Sequence, residues 1–152
     1  MEDEAVVARQ LGRPPRAFRR VVVRCPYGRP AVTEQWARDA TGVPFPTTFY
    51  VTCPYLVAAI SRLEAAGGVE RWTNAVHEDP ALRDSLERAT SEQRRLRPEL
   101  PGGIGGSTRG GSLKCLHAHA AFALARPGYE LGEQILAELD SLWPDSGCCS
   151  AE

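Results

Sequence analysis

The sequence almost lacks lysine. Of 18 basic residues only Lys114 is lysine, so 18 − 1 = 17 are arginine. Arginine makes planar, bidentate contacts with carboxylate and phosphate that lysine cannot. A bias towards Arg, Ala, Gly and Pro codons in the underlying gene produces the same pattern. An excess of charge is missing too. The net charge of −1 argues against bulk binding to nucleic acid or to a membrane surface. No stretch is long and apolar enough to span a bilayer. The opening Met1-Glu2-Asp3-Glu4 has neither a basic nor an apolar region, so a secretory signal is not expected and a cytoplasmic, reducing setting is. There is no Cys-x-x-Cys pair either. Five cysteines in a reducing compartment read as buried, metal-bound or catalytic thiols rather than a disulfide framework.

What is present suits one domain of 152 residues, with 43% hydrophobic and 24% charged residues. Residues 1–17 carry a short helix from Glu4 to Leu11 and then Arg13-Pro14-Pro15-Arg16, which reads as an arm or linker. Phe18 to Cys25 has the β-branched run of a strand, closed by the turn chemistry of Pro26-Tyr27-Gly28-Arg29-Pro30. Residues 31–42 are ambiguous, with at most a helical turn around Trp36. Thr47 to Cys53 suits a second strand, stopped by Pro54. Helices are expected over Tyr55–Ala66, Val69–Val76, Pro80 to Pro98 with Asp79 as N-cap, Leu113–Ala125 with Ser112 as N-cap, and Leu131–Trp143. Leu82, Leu86, Ala89, Gln93 and Leu96 form the buried stripe of the third. The fold class expected is therefore α+β, a mainly helical single domain over 18–144 with about five helices and a small two-stranded sheet. A disordered tail over 145–152 would hold Cys148 and Cys149.

Chemistry concentrates in Lys114-Cys115-Leu116-His117-Ala118-His119. On a helix Cys115 and His119 share a face, whereas His117 lies about 200° from Cys115. If the helix includes Cys115, His119 is its natural partner. If Cys115 precedes the first turn, His117 becomes available. A helix N-terminus favours a thiolate, and Cys115 with either histidine would form a catalytic thiolate–imidazolium pair. Alternatively, Cys25, Cys53 and Cys115 each end an element and could share a soft metal with His117 or His119. Zinc would take four such ligands, and an iron–sulfur cluster would use the three thiolates. Each cysteine could equally be a small buried hydrophobe, and each histidine could be a helix residue satisfied by a carbonyl. The glycine-rich run 102–111 is a flexible connector or, with Arg109 and Lys114, a cradle for a small anion. The arginines of the 83–97 helix read first as a solvated face, and alternatively as an adaptor or RNA-contacting surface.

Several motifs in order carry a resemblance. They are Arg24-Cys25-Pro26-Tyr27-Gly28-Arg29-Pro30-Ala31-Val32, Gly42-Val43-Pro44-Phe45-Pro46-Thr47 through Thr52-Cys53-Pro54, Arg62-Leu63-Glu64, and Lys114 to His119. Over roughly residues 18–140 the chain resembles a bacterial, largely actinobacterial family called domain of unknown function 501. Members of that family are often encoded near enolase, a septum-formation protein and exopolyphosphatase. The resemblance implies Cys25, Cys53, Cys115 and His117 as motif positions, and adds Arg24, Gly28, Pro30 and Glu64. It supplies no mechanism, and the tail cysteines match none of its motifs. Three expectations stay open: a Cys/His metal or iron–sulfur protein, a thiol- or histidine-dependent enzyme acting on a small anionic or phosphorylated substrate, and an adaptor or RNA-associated module using the arginine-rich helix. The partner is unknown.

Overall fold

The computed structural model describes residues 2–107 and 113–147. It is α+β. The elements run α1 (Glu2–Leu11), β1 (Phe18–Arg24), β2 (Pro30–Gln35), β3 (Phe49–Val51), α2 (Pro54–Ala65), α3 (Gly68–Glu78), α4 (Pro80–Leu96), a single 3-10 turn (Ile104–Gly106), α5 (Leu116–Ala125) and α6 (Glu130–Ala137). Six helices and three strands among the described residues replace the expected five and two.

The added strand is β2, at the centre of an antiparallel sheet ordered β1-β2-β3. All six of its residues are buried, so it shows none of the alternation that marks a half-exposed strand. Three of them, Thr33, Glu34 and Gln35, are polar. Glu34 is satisfied by Arg19 at 3.2 Å and Arg20 at 2.7 Å. Gln35 bonds Thr33, and its carbonyl accepts from the buried guanidinium of Arg97. Sequence hydropathy cannot anticipate polar groups buried with partners, which is why this strand reads as ambiguous. Val32 faces Val23 on one neighbour and Val51 on the other.

The N-terminal segment is more than a connector. Val6 and Val7 of α1 are buried, and α1 packs on β1 and β2. Asp3 pairs with Arg24 at 2.7 Å, and Gln10 donates to the Pro30 carbonyl at 2.8 Å.

α5 is the axis of the core. Seven of its ten residues are buried, and it touches all three strands, α2 and α6. A helix apolar on every side belongs in the interior. Its alanines permit close approach: a Cβ on Gly132 of α6 would lie 2.6 Å from the Ala123 Cβ. Phe122 anchors the contact with β3, its ring edge-on to Phe49 at 5.5 Å and to Tyr129 at 5.7 Å. Burying such a ring contributes about 1.5–3 kcal/mol.

α4 starts as expected, with the Asp79 side chain accepting from Ala81 N–H at 2.9 Å and Pro80 in the first turn. Leu82, Leu86, Ala89 and Gln93 are buried along it, and Leu96 is half-buried. Two helix limits differ from expectation by more than two residues. α6 ends at Ala137, and Leu139, Leu142 and Trp143 pack on the core from irregular chain. α5 begins at Leu116 rather than Leu113, because Lys114 has φ +65°, which no right-handed helix accommodates. The expected cap, Ser112, lies outside the described residues. So do residues 148–152 of the expected tail, with both its cysteines.

Candidate functional site

The local backbone before α5 decides which side chains meet. Cys115 N–H donates to the Leu113 carbonyl at 2.7 Å, an i→i+2 bond that closes a γ-turn around Lys114. Positive-φ γ-turns are rare and strained, and Lys114 is the only non-glycine with positive φ among the described residues. The turn leaves Cys115 in extended geometry as the N-cap of α5. Cys115 therefore precedes the first turn, and its histidine is His117.

His117 is bonded on both sides. Its Nδ1 lies 3.1 Å from Glu64 Oε2, and its Nε2 lies 3.2 Å from Ser61 Oγ and 3.3 Å from the Val57 carbonyl. The same Glu64 oxygen accepts the Leu116 N–H at 2.7 Å, capping α5 from a helix 52 residues away in sequence. Glu64 and the Val57 carbonyl can only accept from an imidazolium with both nitrogens protonated, and Ser61 can do so too. The His117 pKa is accordingly raised above its ordinary value. The largest cause is the neighbouring Cys115 thiol; the Glu64 charge and the Val57 carbonyl add to it against the opposing effect of burial. One ligand-capable atom each from Glu64, Cys115 and His117 lie within 4.8 Å of one another.

Cys115 and His117 line a cleft of about 570 Å³, within the roughly 300–1,000 Å³ usual for small-molecule sites. Its walls are largely apolar, with Leu11, Phe49, Val51 and Val57 among them. Arg13 also lines it, with no ion-pair partner among the described residues. So does Thr52, which is 1% exposed and whose hydroxyl has no hydrogen-bond partner among the described residues.

His119 belongs elsewhere. It is buried, its Nε2 donates to the Leu113 carbonyl at 2.9 Å, and its Nδ1 accepts from the Tyr129 hydroxyl at 2.7 Å. Burial pushes its pKa down to about 4 and raises that of Tyr129. It is a neutral core histidine with both nitrogens satisfied.

Cys25 and Cys53 sit at one edge of the sheet, because β1 and β3 run parallel to each other. β2 stands between them, so their backbones are about two strand spacings apart, roughly 9–10 Å. Both are buried, and neither joins Cys115 in a metal-capable group of three among the described residues. Arg24, Gly28 and Pro30 build the β1–β2 turn. Arg24 donates to the Gly28 carbonyl at 3.1 Å, and Gly28 supplies the φ of +84°. Arg109 lies outside the described residues. Lys114 shapes the turn that presents Cys115.

Sequence reasoning named Glu64 without a role and overlooked Val57, Ser61, Arg13 and Thr52. A signal for part of this set was present. Val57, Ser61 and Glu64 fall at i, i+4 and i+7, one face of α2. Arg13 and Thr52 reach the cleft only through the tertiary fold.

A family model described as Protein of unknown function (DUF501) matches residues 21–102. That span contains Cys25, Cys53 and Glu64 and ends before Cys115. No curated protein and no solved structure matches the chain.

Proposed function

We propose, for a chain that belongs to the DUF501 family and takes no activity from that family's description, that the cleft is a thiol-dependent catalytic centre. Cys115 is the nucleophile, His117 the acid–base partner and Glu64 the group that orients the imidazole. The observation that carries this reading is the grouping of Cys115, His117 and Glu64 within 4.8 Å of one another, with His117 hydrogen-bonded to Glu64 and with Cys115 and His117 lining a substrate-sized cleft. Nucleophile, base and orienting carboxylate in contact are what an activated thiol requires. Placing the sulfur at the N-cap of a ten-residue helix adds the favourable end of its dipole.

Iodoacetamide labelling of the full chain tests this, with the modified residue located by peptide mapping. Cys115 should react at least ten times faster at pH 7 than free cysteine, and His117→Asn should remove most of the excess. A Cys115 no faster than free cysteine would overturn the reading.

A second reading rests on the same three residues. Glu64, Cys115 and His117 offer oxygen, sulfur and nitrogen within 4.8 Å, the donor types of a catalytic zinc that keeps its fourth position open. Stoichiometric zinc by elemental analysis, lost in Cys115→Ser, would favour it, and bound zinc would protect Cys115 from iodoacetamide. An iron–sulfur cluster needs further thiolates, and Cys25 and Cys53 would have to leave buried positions on either side of β2 to supply them.

A further inference from the structure

The cleft is lined by groups of two kinds. Cys115 stands at the start of α5. The N–H groups there can be accounted for in turn: Cys115 donates to Leu113 and Leu116 to Glu64, while His117 and Ala118 have no α-helical acceptor. Thr52, almost wholly buried, brings an unpartnered hydroxyl to the same cleft. Orphan donors beside a nucleophile suit an oxygen that gains negative charge. Arg13, also on the wall, is an exposed guanidinium without an ion-pair partner among the described residues. Much of the remaining wall is apolar.

We propose that the cleft takes a small acyl compound bearing a carboxylate at its far end. Arg13 holds the carboxylate bidentately, the apolar wall covers the carbon chain, and the acyl oxygen is cradled by the first turn of α5 and the Thr52 hydroxyl. The chemistry rests on the thiol reading above, whereas the recognition does not. In the reaction the Cys115 thiolate bonds to the acyl carbon, and the carbonyl electron pair moves onto oxygen. That pair returns as the bond to the leaving group breaks, and His117 gives the leaving atom its proton. Water then attacks the thioester. His117 takes the water proton, Cys115 departs as thiolate, and the acid is released.

Monomethyl glutarate, an ester with one carboxylate, and neutral dimethyl glutarate are the probes. Binding is measured by NMR titration on Cys115→Ala protein, which keeps the cleft but cannot react. The anionic ester should bind at least ten times tighter than the neutral one. Arg13→Gln should erase that difference, and Thr52→Val should weaken both esters alike. Equal affinity for the two esters, or a preference that survives in Arg13→Gln, overturns the inference even if Cys115 proves hyper-reactive. A preference lost in Arg13→Gln, together with a sluggish Cys115 in the otherwise unaltered chain, sustains the recognition and overturns only the thiol chemistry.

Discussion

Cys115 and His119 share one hydrogen-bond acceptor. The Leu113 carbonyl takes the Cys115 N–H at 2.7 Å and His119 Nε2 at 2.9 Å. The buried imidazole thus holds the oxygen that closes the γ-turn presenting the thiol. His119 does not line the cleft, yet its ring and the Cys115 backbone meet at the same carbonyl.

The turn itself is open to test. Lys114 occupies a conformation that costs a non-glycine residue about 1–3 kcal/mol. Lys114→Gly should leave stability unchanged or raise it by about 1 kcal/mol, because glycine releases the strain but gains unfolded-state freedom. Cys115 alkylation should slow several-fold as the turn loosens. Urea denaturation and iodoacetamide kinetics on one preparation give both numbers, and a destabilised variant would mean the turn is not strained.

His119 predicts acid sensitivity. Its folded pKa of about 4 lies below the roughly 6.5 of an unfolded histidine, so between those values the unfolded chain binds more protons. Its contribution to stability is complete above about pH 6.5 and is lost as pH falls towards 4, to a total on the order of 3 kcal/mol. In metal-free protein, His119→Gln should flatten the pH dependence of the denaturation midpoint across that window. Parallel profiles for the two proteins would refute the assignment.

Glu64 serves two donors with one oxygen. Glu64→Gln keeps the shape but not the charge, so it should cost about 1 kcal/mol through weaker capping of Leu116. It should also lower the pH at which the His117 ring titrates, followed by proton NMR of its ring protons. Cys115→Ala should lower that midpoint further, since the thiol is the larger cause of the shift.

Gly132 tests the packing of α5 on α6. Alanine in a helix usually improves on glycine by about 1 kcal/mol. Here its Cβ would meet the Ala123 Cβ and the His119 carbonyl, each at 2.6 Å. Gly132→Ala should therefore destabilise by about 1–3 kcal/mol. A thermal midpoint equal to or above that of the unaltered chain would show that the helices can separate without penalty.

Local chemistry carried the sequence reading some distance. Asp79-Pro80 marks the start of α4 because capping is a contact between near neighbours. The choice between His117 and His119 was framed correctly as a matter of where α5 starts. It could not be made without Lys114, whose left-handed backbone no composition announces. β2 reads as ambiguous because Glu34 and Gln35 look like surface residues until arginines from other segments pair with them. Cys25 and Cys53 end two strands alike, and only the strand between them shows that sharing an edge is not adjacency. Arg13 looked like part of a connector because nothing in residues 1–17 reveals that α1 packs on the sheet.

That packing has a consequence for a chain made from one end to the other. Arg13 and Cys115 stand 102 positions apart (115 − 13), and Glu64 lies between them. A ribosome extends a chain by about 5–20 residues each second. For several seconds the growing protein therefore holds the guanidinium, and then the carboxylate, without the thiol. Cys115 emerges last of the three, so the guanidinium, the carboxylate and the thiol come together only as α5 docks.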